Sequence, residues 1–558
     1  MHPGCSIRED QSSPQKIGSA VTGCEVNMVV NELKRNVLAF PSLLAFLAVA
    51  SPSSATTYYV LAGGTGSFAG TDWANANCQI PATLNPGDVV YIGNSGGNLA
   101  DTTTACAGEA KHVFSTSGTV GSHITIKAAT GADHGTGTGW SASYGVDVTP
   151  AITWSNTHVP ADGIIQPFWD MCGSYYDVNG EVGSADQTGT YGFYFKSAGD
   201  MFGFIRADAN QCSGNPTITN LTFQYFEING VEADSINGGG GSTGLYFGSP
   251  SSGGSPVNNI TVSYFYLHDL FSPTGEEGNM TALTYSNGWI YTNFGNAASH
   301  SQGIDASANS NGSLALNNLT VDSVVWKNIQ GTGFIMCLHG SCDSWKIYNN
   351  IFYYSSDWDS ACEHGDVTAS CQVSKVLGDN GSGSTLTNLT FYGNTISNIH
   401  IKPGHSGGDN AGVIITASTS GSNDIRNNFW YYCDEADLGY DGANGHPTLA
   451  THDYNTWSNT DISGTLMTLA AHDFQNSTKE SPTQPDPFVS DATGNFNLSS
   501  ETVDAHLNDG VSLAAPYNLD FAGATRGADG TWERGAFEFN STPTKPNPPT
   551  NLAVTGVH

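Results

Sequence analysis

Between residues 216 and 460, apolar and polar residues alternate in short runs that restart at irregular intervals. NLTFQYFEI begins at Asn220, NITVSYFYL at Asn259, NLTVDSVVW at Asn318 and NLTFYGNTI at Asn388. Two related phrases interleave, WKIYNNIFYYS from Trp345 and DIRNNFWYYC from Asp424. Period-two alternation of β-branched and aromatic residues, closed by Gly or Asn, predicts strands. Their recurrence predicts an all-β solenoid in which each copy is one coil. Stacked coils set equivalent residues about 4.8 Å apart, so residues distant in sequence meet in one groove.

The intervals between copies measure the coils. Asn318 to Ser344 is 26 residues, close to a bare three-strand coil of roughly 20–25. Ser344 to Asn388 is 44 and Asn388 to Asn423 is 35. Asn259 to Asn318 is 59, either two coils or one with a large insertion. Residues in excess leave the coil as loops, and loops on a rigid scaffold carry function.

The flanks read differently. Residues 56–215 form an N-terminal cap and first coils, and 216–484 the coils with inserted loops. Residues 485–540 form a C-terminal coil or cap, expected to cover the open edge of the last coil. In 541–558 a Pro-rich linker leads into NLAVTGVH, similar to the first strand of a truncated fibronectin III module. MVVNELKRN, VLAFPSLLAFLAVA and SPSSA over 28–55 have the basic, apolar and small-residue parts of a secretory signal, with 1–27 an upstream extension. The apolar part is too short to span a membrane. The mature chain is therefore expected outside the cell.

Composition sharpens this. Gly is 67 of 558 residues and charged residues are 12%, which suits strands and turns. The net charge is −33; residues 1–55 hold four basic and four acidic side chains, so the mature chain keeps it. Such a surface repels nucleic acid and anionic membranes, and a monomer is expected. Of eleven Cys, nine follow the signal. Cys337/Cys342, Cys362/Cys371, Cys78/Cys106 and Cys172/Cys212 are candidate disulfides, leaving Cys433, although spacing does not fix connectivity.

The NLTV and IYNNIFYYS phrases, the opening GDVVYI and ITIKA, and the closing DPFV and GAFEF resemble bacterial secreted right-handed parallel β-helix proteins. The resemblance covers about residues 58–540. It implies a right-handed parallel β-helix with terminal caps. It also implies a polysaccharide partner, cleaved by β-elimination or by hydrolysis, or bound by a non-catalytic adhesin stalk. Fold alone does not choose among these; β-elimination is preferred because it is the usual chemistry of the family.

The candidate chemistry falls in turns that lead into each coil's last strand. His300, His339 and His364 occupy equivalent turns, with His405 in the next, and Asp305, Glu363, Asp366 and Asp409 lie near them. Histidine, Lys375 or Lys402 would serve as base in an elimination. The uronate carboxylate would be neutralised by Ca²⁺, with Glu363 a candidate ligand, or by Arg426. In hydrolysis, Asp305, Glu363 and Asp366 could supply the paired carboxyls. Trp358, in the longest insertion, is a candidate sugar-stacking residue beside Asp305 and Arg426 as substrate contacts. No HExxH or CxxC spacing supports zinc. NGGGGSTG from Asn237 lacks the lysine and helix of a phosphate loop.

Overall fold

The computed structural model describes residues 54–99, 111–146, 152–156, 167–180, 191–197, 201–230, 242–249, 254–293, 302–307, 314–329, 333–355, 375–379, 384–400, 411–415, 422–439, 450–462, 467–500 and 506–539. Strand after strand pairs in parallel with the equivalent strand of the next coil. The chain is a right-handed parallel β-helix with three sheet stacks. The first sheet runs through Tyr176–Asn179, residues 221–224, residues 260–263, Met280–Ser286 and on to Ala450–Asp453. The second takes residues 226–229, Trp289–Asn293, Val325–Lys327, Ile351–Tyr353, Thr395–Ser397, Phe429–Tyr431 and Thr456–Ser458. The third takes Phe202–Asp208, Thr243–Gly248, Ser272–Glu277, Gln302–Ser307 and the first part of Gly333–Asp343.

The repeated NLT phrase encodes a corner. Asn220, Asn259, Asn318 and Asn388 have φ of 56°, 53°, 54° and 53°, in the left-handed region that Asn tolerates best among residues with a Cβ. The chain turns there, and the following Leu or Ile points into the lumen. Ala282 (φ 60°) and Ser344 (φ 59°) occupy the same corner, so 259–317 is two coils, the first of them nearly bare. A second set of corners separates the first and second sheets, at Asn287, Ser323, Asn349, Gly393 and Asn427.

The Asn-Asn doublets divide labour across this second corner. The second residue points inward: Asn350 and Asn394 donate from backbone N and Nδ2 to Oδ1 of Asn394 and Asn428, at 2.9–3.0 Å. Asn428 continues the column to Asn455 at 3.1 and 3.0 Å. All four are fully buried. Apolar columns fill the rest of the lumen, including Trp430 stacked on Trp457 at 5.0 Å.

The first Asn of each doublet points outward and holds the C-terminal segment. Asn349 Nδ2 donates to the Leu519 carbonyl (2.9 Å) and its Oδ1 accepts from Arg526 (3.0 Å). Asn427 exchanges hydrogen bonds of 2.7 and 2.9 Å with Val511. Residues 486–539 bring Phe488, Phe496, Leu498, Phe521 and Phe537 onto a cluster with Ile351, Tyr353, Phe429 and Tyr431 on the outer side of the second sheet. This segment thus lies along the flank of several coils. The segment expected as a C-terminal coil or cap packs as an arm on the outer side of the second sheet, whose apolar outer residues supply the area it buries.

Cys172–Cys212 and Cys337–Cys342 are disulfides, Cys78 is disulfide-bonded, and Cys433 is a buried thiol whose pKa burial pushes up. Cys362 and Cys371 lie outside the described residues, as do the signal segment and NLAVTGVH. Among the described residues no helix is long and apolar enough to cross a membrane.

One lumen position departs from apolar packing. Glu276 stands between Phe247 and Ala306 of adjacent coils, fully buried. Oε1 accepts from the Tyr285 hydroxyl at 2.7 Å, and Oε2 is buried with no hydrogen-bond partner. Burial pushes its pKa up to about 8. The folded state then keeps a proton that the unfolded chain releases near pH 4.5. Stability is full below that value, falls as pH rises, and levels off above about pH 8 after a loss on the order of 4–5 kcal/mol. Glu276→Gln removes this slope. Denaturant midpoints of the variant and the parent are expected to coincide near pH 4.5 and to diverge in the variant's favour by pH 9.

Candidate functional site

On the third sheet, Ile205, Ala207, Leu245, Phe247, Ile304 and Ala306 face the core, so the residues alternating with them face out. One outward column runs Asp170, Arg206, Tyr246, Gly275, Asp305 and Met336. The next runs Asp208, Gly248, Glu277, Ser307 and His339. Residues from six coils are thereby aligned on one strip.

Its electrostatics are uneven. Arg206 makes a bidentate pair with Asp170 at 3.1 and 2.9 Å, and Lys111 Nζ lies 2.6 Å from the same carboxylate. These cations are spent on Asp170. Burial raises the pKa of Asp208, whose Oδ1 accepts from the Asn210 backbone at 2.9 Å. The acids lower on the strip have no such cations among the contacts described here.

Glu277 and Asp305 form the centre. Glu277 Oε2 accepts from the Tyr246 hydroxyl at 2.7 Å. Tyr246 reaches it by leaning across Gly275, where a Cβ would lie 3.2 Å from the ring. Asp305 sits half-buried one coil further on. Burial pushes its pKa up to about 6, the Ser307 hydroxyl at 2.9 Å opposes this, and the charge of Glu277 adds to it. Glu277 is one strand over and two residues along from Asp305, which sets their Cα atoms about 8 Å apart. One carboxyl accepts a tyrosine's hydrogen bond, while burial makes the other a proton donor in reach of neutral pH.

Of the residues singled out by sequence, Asp305 and His339 share this strip, His339 exposed beside Ser307. Lys375 is buried, and its Nζ donates to the Asp379 carbonyl. That contact holds it in the wall of the solenoid. Arg426 lies on the first sheet, with Nε 2.7 Å from Asp424 Oδ1; it does not join the strip. His300, His364, Asp366, Lys402, Trp358, Glu363, His405 and Asp409 lie outside the described residues.

Sequence reasoning missed Glu277 and Tyr246. The available signal was GEEGN at the end of a coil, a glutamate pair in a chain poor in charge. It was unreadable because the boundary at Ala282 was unresolved, and a one-residue slip exchanges Glu276 with Glu277 between lumen and surface.

Calcium requires several oxygen ligands around one point. Among the described residues, trios of potential ligands occur only at Asp170–Cys172–Cys212, whose cysteines form a disulfide, and at Asp434–Asp461–Glu480. At the latter, Lys479 Nζ lies 2.8 Å from Asp434. Glu277 and Asp305 belong to neither trio.

No family model and no curated protein matches the chain. Among solved structures, it is similar to pectate lyase Pel9A, with 14% identity, a TM-score of 0.43, and 88% of this chain and 97% of that one covered. It is also similar to the PL6 family alginate lyase AlyGC, with 12% identity, a TM-score of 0.30, and 75% and 53% covered. A mannuronic acid specific polysaccharide family 6 lyase from human gut microbiota has 10% identity, a TM-score of 0.26, and 72% and 80% covered. These likenesses are too distant to say what the strip does.

Proposed function

We propose that this protein is a secreted enzyme that hydrolyses a polysaccharide laid across the third sheet. The observation that carries the reading is the pair Glu277 and Asp305, two partly exposed carboxyls on one face, one bound by a tyrosine hydroxyl and the other raised by burial. Two such environments suit a base and an acid. Asp305 gives its proton to the glycosidic oxygen as the bond to the anomeric carbon breaks. Glu277 takes a proton from the water that adds to that carbon.

β-Elimination, expected from the family resemblance, needs a uronate neutralised beside its base. Among the described residues of this face, Lys111 and Arg206 pair with Asp170 and Lys375 donates to a carbonyl, which supports hydrolysis. The test is a panel of soluble polysaccharides, neutral and uronate, incubated with the full chain with and without EDTA. New reducing ends without absorbance from unsaturated products are expected, unaffected by EDTA. Unsaturated products would replace hydrolysis by elimination. Binding without products would leave a glycan-binding stalk.

A further inference from the structure

A second surface lies on the first coils, on the outer face of the first sheet. Tyr59 and Tyr91 are in register on Thr57–Leu61 and Val89–Gly93 and stack at 6.2 Å. Against them rest Trp73, His134, Trp140 and Tyr144. Tyr91 meets His134 at 4.2 Å, Trp73 meets Trp140 at 5.0 Å, and Trp140 meets Tyr144 at 5.9 Å. Tyr59, Tyr91, Trp140 and Tyr144 are half-exposed, whereas Trp73 (1% exposed) and His134 (7%) are buried beneath them.

Packing alone leaves two features unexplained. The ring nitrogens Trp73 Nε1 and His134 Nε2 are both buried without a hydrogen-bond partner. Buried polar atoms are satisfied as a rule, and two orphans in one ring cluster mark positions built to receive an oxygen. The loop carrying Trp140 is also constrained to pass there. Gly139 has φ 77°, and a Cβ on it would lie 2.3 Å from Ala74 N. The rim is polar and self-neutralised: Lys127 pairs with Asp133 at 2.8 Å, and Ser141 and Ser143 hydroxyls lie 2.8 Å apart.

We propose that this cluster is a binding site for an uncharged pyranose polymer, separate from the strip around Asp305. Aromatic faces with polar edges suit the apolar face and hydroxyl rim of a sugar ring. Trp140 supplies the outer stacking ring. Sugar hydroxyls meet the tyrosine and serine hydroxyls at the rim, and a tilt of Trp140 opens the two buried nitrogens to them. The internally paired rim and the −33 charge of the chain select against polyanions.

The test uses the full chain carrying Asp305→Asn, so that binding is read whether or not the strip cleaves anything. Its mobility is measured in native gels containing hydroxyethyl cellulose or polygalacturonate, beside the same chain with Trp140→Ala or Tyr144→Ala. Retardation by the neutral polymer, reduced at least tenfold in apparent affinity by Trp140→Ala with an unchanged circular dichroism spectrum, is expected. Tyr144→Ala, at the edge of the cluster, supplies the same readout should Trp140→Ala fail to fold. Absence of retardation of the parent overturns the proposal, as does retardation by polygalacturonate alone or equal retardation of parent and variants. None of these outcomes bears on the cleavage test.

Discussion

Asp305→Asn should abolish cleavage of unactivated polysaccharide while leaving the fold intact. A positioned general acid contributes about 10²–10⁴-fold, and the amide cannot donate its proton to the departing oxygen. The loss should shrink on an aryl glycoside, whose leaving group needs little protonation. Glu277→Gln removes the base and should lose activity on both substrates. The parent's kcat/KM should fall about tenfold per unit as pH rises above about 6, because burial has moved Asp305 to that value and only its protonated form acts as the acid. An Asp305→Asn variant equally impaired on both substrates, or a parent whose activity is flat from pH 6 to 9, would remove Asp305 from the acid role. Parent and variant share the strand Gln302–Ser307 and its neighbours, so a matching thermal midpoint separates lost chemistry from lost structure.

The largest effect on stability is expected at Asn428. Its Oδ1 accepts two hydrogen bonds from Asn394, and its Nδ2 donates to the Phe391 carbonyl at 2.8 Å and to Asn455 Oδ1 at 3.0 Å. Asn428→Ala leaves the Asn394 backbone N–H buried and unpaired, strips one bond each from Asn394 Nδ2 and the Phe391 carbonyl, and opens a void between the coils. An orphan costs about 1–3 kcal/mol and the stripped bonds and void add to it, so the substitution should cost about 3–5 kcal/mol in chemical denaturation. Asn427→Gly makes the control: one residue earlier, it loses the pair of bonds to Val511, glycine tolerates the φ of 55° there, and it should cost markedly less. Equal losses at the two positions would show that the inward column is no special source of stability.

The two halves of that doublet show how far the sequence could be read. The strands and the coil from Asn318 to Ser344 were legible, since alternation and spacing are local, whereas Cys172–Cys212 and Cys337–Cys342 were candidate pairs whose connectivity spacing left open. That NN means one residue out and one in was not, because it depends on the left-handed turn at the first Asn. The site was half legible. Asp305 and His339 fell on one face because both follow a recognisable strand. Glu277 needed a register that only the Ala282 corner supplies, and Tyr246 needed the bare Cα of Gly275 one coil away.

The arm along the second sheet acts as a gauge of length. Its anchors at Asn349 and Asn427 are two coils apart, and Arg534 takes a third on the Asn455 carbonyl at 2.9 Å. Gaining or losing a coil between residues 350 and 455 would shift these anchors by about 4.8 Å, and the arm would no longer reach them all. These anchors all lie on the coil of Asn349 and later coils. Duplication and deletion during descent should therefore have been tolerated in the part of the solenoid that bears Glu277 and Asp305, and resisted in the part the arm spans. The number of coils presented to a substrate can change there without disturbing the clasp that closes the molecule.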